Sequence, residues 1–409
     1  NPLETIAARQ VRFPAKPAIL IFLYLALFFA AWTFRSRNHF MGDGWLYISI
    51  VKEPFHIISD RPLDYFIHQV SHWLVQALGL GNGETAYAVL HCLLLPLFLW
   101  FCWRTADLVT HSLFEKAIVS SLMASTASLQ LFAGYVECYT LLHLWIGIYL
   151  YAGIKYFQRG LNKGFPWPAA LIFVLALLSH RSALSLAPSL IFLGLSALLS
   201  GRQAKNAYLN PSKLVATAVL IVLFAGLLID SGYSSLFVPL GFSEDINLAP
   251  YTFFSVDHFR EKFNFLFLIC PVTVFAVPVV ILRWRSFRKP NDPSFIFVIW
   301  TLAGCALFSL AVNPLLGIRD WDLLSIFGIP AALFSGWGLI LALKGSSRRN
   351  GFLAAVALAA AVHGASWVWV NSDVNRGVNF LDRVRLEDFH TGTGKLNLGS
   401  LLQEKGFLP

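Results

Sequence analysis

Charge is what this sequence has least of. Only 13% of its 409 residues are Asp, Glu, Lys or Arg, about half the roughly 25% of an ordinary soluble chain, which excludes a water-facing surface of normal extent. Cysteine is scarce as well. The five, Cys92, Cys102, Cys138, Cys270 and Cys305, all fall in or beside apolar runs, with no CxxC and no Cys/His zinc spacing. Neither a disulfide framework nor a structural zinc site is implied. No Walker loop is present and no GxGxxG opens a helix after a strand, which argues against ATP-driven transport by this chain alone. No internal repeat of the kind that transporter halves carry is visible. What remains is apolar, at 57% hydrophobic with 36 Phe and 13 Trp and a mean hydropathy of +0.64.

That apolar content is organised as about eleven runs near 18–34, 86–103, 117–133, 136–157, 166–179, 182–200, 213–230, 263–283, 294–312, 323–343 and 351–370. Most reach the roughly 17–25 residues that cross a hydrocarbon core; the run at 166–179 is short enough to be tilted or part of a broken helix. The fold class is therefore all-α, a polytopic membrane protein. No small-residue cleavage pattern follows a hydrophobic stretch, so the first run reads as an anchor. The net charge of +9 needs no nucleic-acid partner. Alternate loops hold 18 of the 31 Lys and Arg and four of the 22 Asp and Glu, the bias that marks the cytoplasmic side. It places the N-terminus inside and the tail outside. Residues 1–370 then form the transmembrane domain, with outer loops at 35–85 and 231–262, and 371–409 form an extracytoplasmic tail.

Cytoplasmic loops are short and basic, whereas the outer face carries the unusual residues, and loops on a rigid scaffold commonly carry function. Phe40-Met41-Gly42-Asp43-Gly44-Trp45 sets a carboxylate between two glycines, either a plain turn or a place where backbone approaches a ligand and an acid serves as base or metal ligand. From 62 to 78, Leu63, Phe66, Ile67, Val70, Leu74, Ala77 and Leu78 form one helical stripe, and Asp64, His68 and His72 the other. This predicts an interfacial amphipathic helix, whose polar side is expected to be solvated in preference to binding metal. Glu137 sits in a turn so tight that it lies near membrane depth, where an acid is costly and marks function by default. Ser179-His180-Arg181-Ser182 either holds a phosphate or caps its turn. Asp320 and Asp322 either cap a helix start or join Arg319 in a site where Arg, a planar fork of donors, grips phosphate. His258 stands at the entry of the eighth run, where it can face the cavity. Acids facing Arg and His on the outer side suit a phosphate-linked, lipid-borne substrate.

These residues resemble the GT-C superfamily of integral-membrane glycosyltransferases that use polyprenyl-phosphate sugars. The resemblance covers the topology of most of the chain, and the local matches, similar to motifs of bacterial members, are Gly42-Asp43-Gly44, Gly134-Tyr135-Val136-Glu137, Ser179-His180-Arg181 and Arg319-Asp320-Trp321-Asp322. It implies Asp43 as general base on an acceptor hydroxyl and Glu137 as the second outer acid. It further implies that Arg61, His180, Arg181, Arg319, Asp320 and Asp322 bind donor and phosphate, with Asp64, His68 and His258 in secondary roles. A divalent cation, Mg or Mn, held by Asp43 and Glu137 is the one cofactor it suggests. The family's first outer loop often carries two acids, adjacent or one residue apart; here Gly44 and Trp45 follow Asp43. The implied partners are a polyprenyl-phosphate sugar donor, a lipid or glycan acceptor, membrane lipids and a membrane-complex partner, in a bacterial cytoplasmic membrane with the active face outside. Two other readings fit: a non-catalytic subunit that keeps the fold, and a transporter or flippase for a lipid-linked precursor. The latter predicts polar residues through the bilayer midplane, where this chain has almost no charges.

Overall fold

The computed structural model describes residues 17–39, 42–53, 61–159, 166–199, 237–238, 252–284, 292–313 and 320–383. Arg319 and the run at 213–230 lie outside the described residues, as do most of the outer loop 231–262 and the tail beyond 383. The described chain is helical, and its one β contact is an isolated bridge between Phe237 and Val312.

In chain order the helices are α1 (Pro17–Thr33), α2 (Gly44–Ile50), α3 (Pro62–Ala77), α4 (Gly83–Val109), α5 (Leu113–Ala124), α6 (Leu129–Phe132), α7 (Thr140–Gln158), α8 (Trp167–Ser179) and α9 (Ala187–Leu199). After these come α10 (Val256–Ile269), α11 (Val272–Arg283), α12 (Pro293–Ala311), α13 (Trp321–Leu324), α14 (Gly328–Ala342), α15 (Arg349–Asn371) and α16 (Val374–Arg383). Single 3-10 turns join α8 to α9 (Arg181–Leu186) and α13 to α14 (Ser325–Phe327). Four stretches are long and apolar enough to cross a membrane, Gly83–Val109, Pro293–Ala311, Trp321–Ala342 and Arg349–Asn371, or five if α10 and α11 count as one span. Other predicted runs fall on shorter apolar helices, among them Pro17–Thr33 and Trp167–Ser179.

Helix α4, about 40 Å long at 1.5 Å per residue, is the mast of the assembly, packing against α1, α3, α5 and α7. Asn82 caps it, its side chain accepting the Thr85 N–H, and Ser112 caps α5 likewise through Glu115, so neither start leaves all its first-turn donors bare. The stretch carrying α13 and α14 is the interior helix: Gly328 through Ile340 are buried throughout. Small residues permit this, since a Cβ on Gly336 would press on Leu122 and Val119, and one on Gly338 on Val280. Such close backbone approach replaces the hydrophobic driving force that lipid does not supply. At the other extreme α1 leaves Ile19 to Leu23 exposed, as a helix facing lipid does.

Three predicted boundaries need correction. The run at 263–283 is two helices meeting at 98°, because Pro271 withholds an N–H and forces Cys270 out of helical geometry (φ −153°). Helix α10 also starts at Val256, inside the stretch assigned to loop, with Ser255 as its cap. The run at 117–133 breaks at Ser125–Ser128 into α5 and α6.

The most instructive difference is in α3. The amphipathic helix is there, but its polar side is not solvated: Asp64, His68 and His72 are buried, while Phe66, Val70, Trp73 and Leu74 are exposed. The polar stripe packs onto α4 and α8 and the apolar stripe faces outward, the arrangement expected when the surroundings are lipid.

Candidate active site

Three segments far apart in sequence meet beside Gly42. This glycine takes φ +72°, and a Cβ on it would collide with the Glu137 carboxylate and lie 3.0 Å from Asp322 Oδ2. Only glycine fits a left-handed turn that also touches two acids. The next residue turns into α2, and the Asp43 N–H donates to Glu137 Oε1 at 2.5 Å. Glu137 and Asp322 are each 2% exposed. Asp43, by contrast, is exposed and Asp320 half-buried. Glu137 lies in the turn between α6 and α7, outside the helical spans. Burial first, then the Asp322 and Asp43 charges, pushes its carboxyl well above the ordinary range.

The Glu137 turn is pinned from several sides. Gly134 takes φ +67°, against Arg35 and Ala88. The Tyr135 carbonyl accepts from His91 Nδ1 at 2.7 Å, and the Tyr135 ring meets Trp321 of α13. His143, one turn into α7, bonds the Tyr139 carbonyl at 2.8 Å and Ser325 Oγ at 2.9 Å. Ser325 in turn donates to the Asp322 carbonyl at 2.6 Å. Through His143 and Ser325 the two buried acids therefore share one scaffold. Asp322 uses Oδ1 to accept the Leu323 N–H at 2.8 Å, whereas its Oδ2 is buried with no hydrogen-bond partner. An orphaned carboxylate oxygen is unusual enough to require a reason.

Cations stand close by. Arg61, just ahead of α3, donates to Tyr47 Oη at 2.7 Å and to Cys138 Sγ, beside Glu137, at 3.5 Å. Its guanidinium also lies over the Tyr47 ring. Arg181 opens the 3-10 turn after His180 and is half-buried. His180 is the cap of that turn: its Nδ1 accepts the Ser182 N–H at 3.2 Å and meets Ser182 Oγ at 2.7 Å. Burial, then the charges of Arg61 and Arg181, drives the imidazole down to about 3. It is neutral at physiological pH, and the positive charge of this corner belongs to the two arginines. Of the alternatives open for the Ser179–Ser182 segment, capping describes His180.

The remaining sequence candidates are elsewhere. His258 is buried at the start of α10 against Phe253. Asp64 and His68 lie on the buried side of α3, where His68 meets His91. Arg319 lies outside the described residues. Three residues beyond those candidates belong to the site. Lys262 is buried, donates to the Val312 carbonyl at 2.8 Å, and feels the Asp320 charge. His91 and His143 hold the acid-bearing turns. His91 and His143 sit inside apolar runs, where a polar side chain is itself the signal; Lys262 falls in the stretch assigned to the outer loop, just before the run at 263–283.

A divalent cation fits this chemistry in part. Buried hard oxygen donors and the orphaned Asp322 Oδ2 suit one, but no three His, Cys, Asp or Glu side chains form a ready ligand group among the described residues. That is the pattern for an ion that takes one or two carboxylates and completes its shell with water and substrate phosphate.

No protein-family model and no curated protein matches the sequence. Solved structures do. The oligosaccharyltransferase of Archaeoglobus fulgidus, crystallised with a tethered acceptor peptide, aligns over 88% of this chain with 13% identity and a TM-score of 0.52. A second structure of that organism's AglB, with an inhibitory peptide and dolichol-phosphate, aligns over 87% with 13% identity and a TM-score of 0.49. ArnT of Cupriavidus metallidurans, bound to undecaprenyl phosphate, aligns over 91% with 13% identity and a TM-score of 0.43, covering 73% of that protein. The chain spans 56% of the length of either oligosaccharyltransferase structure. At these identities the likeness is one of fold alone: the chain shares the helical membrane fold of the Archaeoglobus fulgidus oligosaccharyltransferase.

Proposed function

We propose that this chain is an inverting glycosyltransferase that moves a sugar from a polyprenyl-phosphate donor to a lipid or glycan acceptor on the extracytoplasmic face of a bacterial cytoplasmic membrane. In this reading it crosses the bilayer about eleven times, with its N-terminus inside. The observation that carries it is the convergence of Asp43, Glu137 and Asp322 on Gly42, with Arg61 and Arg181 close behind. The fold shared with an oligosaccharyltransferase supports the class of reaction.

Asp43, the exposed acid, takes the proton of the acceptor hydroxyl. The hydroxyl oxygen then forms its bond to the sugar's anomeric carbon while the bond from that carbon to the phosphate oxygen breaks, and the lipid phosphate leaves with the electron pair. Attack opposite the leaving group inverts the anomeric centre. Arg61 and Arg181, with Arg319 and Lys262, stabilise the charge that grows on the phosphate. Glu137 fixes Asp43 through its backbone N–H, so the base is aimed by the second acid. Glu137 and Asp322 would hold a Mg or Mn ion, which would supply charge neutralisation to the phosphate. A low-dielectric wall behind these groups strengthens each interaction.

Asp43→Asn, an isosteric change that removes the base, is expected to abolish transfer from a polyprenyl-phosphate sugar and to leave donor binding within severalfold. Turnover retained in that variant would refute the assignment. Unchanged donor binding by wild type without any turnover, over a panel of acceptors, would favour a non-catalytic subunit.

A further inference from the structure

Behind the site, under α3, is a chain of buried polar groups that the proposed chemistry does not use. Asp64 is 1% exposed, and His68 and His91 are 0%. His68 Nδ1 lies 2.8 Å from the Asp64 carbonyl oxygen and 3.2 Å from Asp64 Oδ2. His91 Nδ1 lies 2.7 Å from the Tyr135 carbonyl oxygen. The two Nε2 atoms face each other at 2.9 Å.

Counting protons decides what this chain is. A carbonyl oxygen only accepts, so both Nδ1 atoms carry hydrogen. The Thr140 hydroxyl, 3.2 Å from His91 Nδ1, is no donor to it, because it spends its hydrogen on the Leu131 carbonyl. A neutral imidazole has one ring hydrogen, which would leave two bare Nε2 lone pairs in contact. The contact at 2.9 Å requires a third hydrogen, so the pair carries one positive charge. The charge belongs on His68, whose Nδ1 faces the Asp64 carboxylate and whose ring stacks on Tyr87 at 4.0 Å, an aromatic face that favours a cation.

We infer that Asp64, His68 and His91 form a buried ion-paired relay whose work is to hold the turn carrying Glu137, with His68 and His91 acting as positioning residues through the Tyr135 carbonyl. The Asp64 carboxylate balances the His68 charge, His68 donates Nε2–H to His91, and His91, thereby fixed in one tautomer, donates Nδ1–H to Tyr135. As a device for transfer the relay rests on the role given to Glu137 above. As a device for holding the turn it does not.

The test uses the full-length chain in lipid nanodiscs and compares Asp64→Asn, His68→Gln and the double variant. Each single change breaks the charge balance between Asp64 and His68, leaving one buried charge without the other. The double change restores it without charge: the Asn amide donates to the Gln carbonyl, and the Gln amide donates to His91 Nε2. Hydrogen–deuterium exchange over residues 133–140 is expected to rise at least tenfold in each single variant and to return to within about threefold of wild type in the double. Transfer activity should follow the same order, through kcat with the donor KM unchanged. Wild-type exchange in either single variant would overturn the relay. So would a double variant looser than both singles, or one that fails to fold. Wild-type protein without transferase activity would sink the proposed reaction while leaving the exchange order intact; exchange at the wild-type level in every variant with activity lost would sink the relay alone.

Discussion

Replacing Gly42 by Ala adds a single carbon, and the structure says where that carbon goes. It meets the Glu137 carboxylate and comes within 3.0 Å of Asp322 Oδ2, at a residue whose φ is +72°. The left-handed conformation alone costs an L-residue about 1–2 kcal/mol. Moving Glu137 aside also breaks its bond from the Asp43 N–H, and leaving a buried polar group without its partner costs about 1–3 kcal/mol. Together these amount to roughly 2–5 kcal/mol against the arrangement proposed to aim Asp43, or on the order of 30-fold or more in kcat at 1.36 kcal/mol per decade. Gly79 supplies the control. It takes φ +66° with nothing within 4 Å of its Cβ position, so Gly79→Ala carries the backbone cost without the collision. Gly42→Asn separates the terms further, since Asn tolerates the left-handed region but not the contact. Turnover measured beside thermal unfolding in detergent should show Gly42→Ala and Gly42→Asn both inactive and Gly79→Ala active with a modest loss of stability. Gly42→Ala behaving like Gly79→Ala would refute the view that Gly42 is the meeting point of the acids.

Three further outcomes follow from the same geometry. With no metal ion bound, burial and then the Asp322 and Asp43 charges push the Glu137 carboxyl well above its ordinary value of 4.5. The unfolded chain ionises there first, so the wild-type fold loses stability as pH rises from about 4.5 through the raised value. Unfolding temperatures of Glu137→Gln should therefore overtake those of wild type toward neutral pH and converge at acid pH, and parallel curves would contradict the burial of a carboxyl in this cluster. Ser325→Ala removes the bridge from His143 to the Asp322 backbone and should lower kcat by about tenfold, the worth of roughly one buried hydrogen bond; an unaffected rate would mean that the two acids are held independently. Trp73, 66% exposed on α3, should be quenched by brominated lipid in a Trp73-only variant, whereas efficient quenching by iodide in water would return α3 to the solvated orientation.

The sequence alone marks this site in proportion to how badly a residue suits its surroundings. Glu137 stands out because an acid at membrane depth has few bland explanations, and Gly42-Asp43-Gly44 because two glycines around a carboxylate allow close approach. Both segments do lie at the meeting point, although what approaches Gly42 is another acid. The orientation of α3 is not legible in the same way. A helical stripe says which residues share a side, and the choice of side depends on whether water or lipid lies outside. Nor does hydropathy register the break at Pro271, because the runs on both sides are equally apolar and only the missing N–H ends the helix. His180 illustrates a third limit: beside Arg181 it reads as a cation, but its ring nitrogen is already committed to the turn it caps.

His91 and His143 show how the rest of the machinery stays hidden. Each lies within an apolar run, and each spends one nitrogen on a backbone carbonyl of the Glu137 turn. The partners that complete them, His68 and Ser325, come from segments 23 residues before and 182 residues after in the chain. A pattern read along one helix cannot contain such pairs. The cost of burying them unpaired can be read, however: an unsatisfied polar group in a dry interior costs a few kcal/mol, so a histidine inside a span requires a partner at its own depth. For a helical membrane protein of this fold, that accounting orders the search. In the proposed reaction the exposed acid does the chemistry, and the buried histidines keep it aimed.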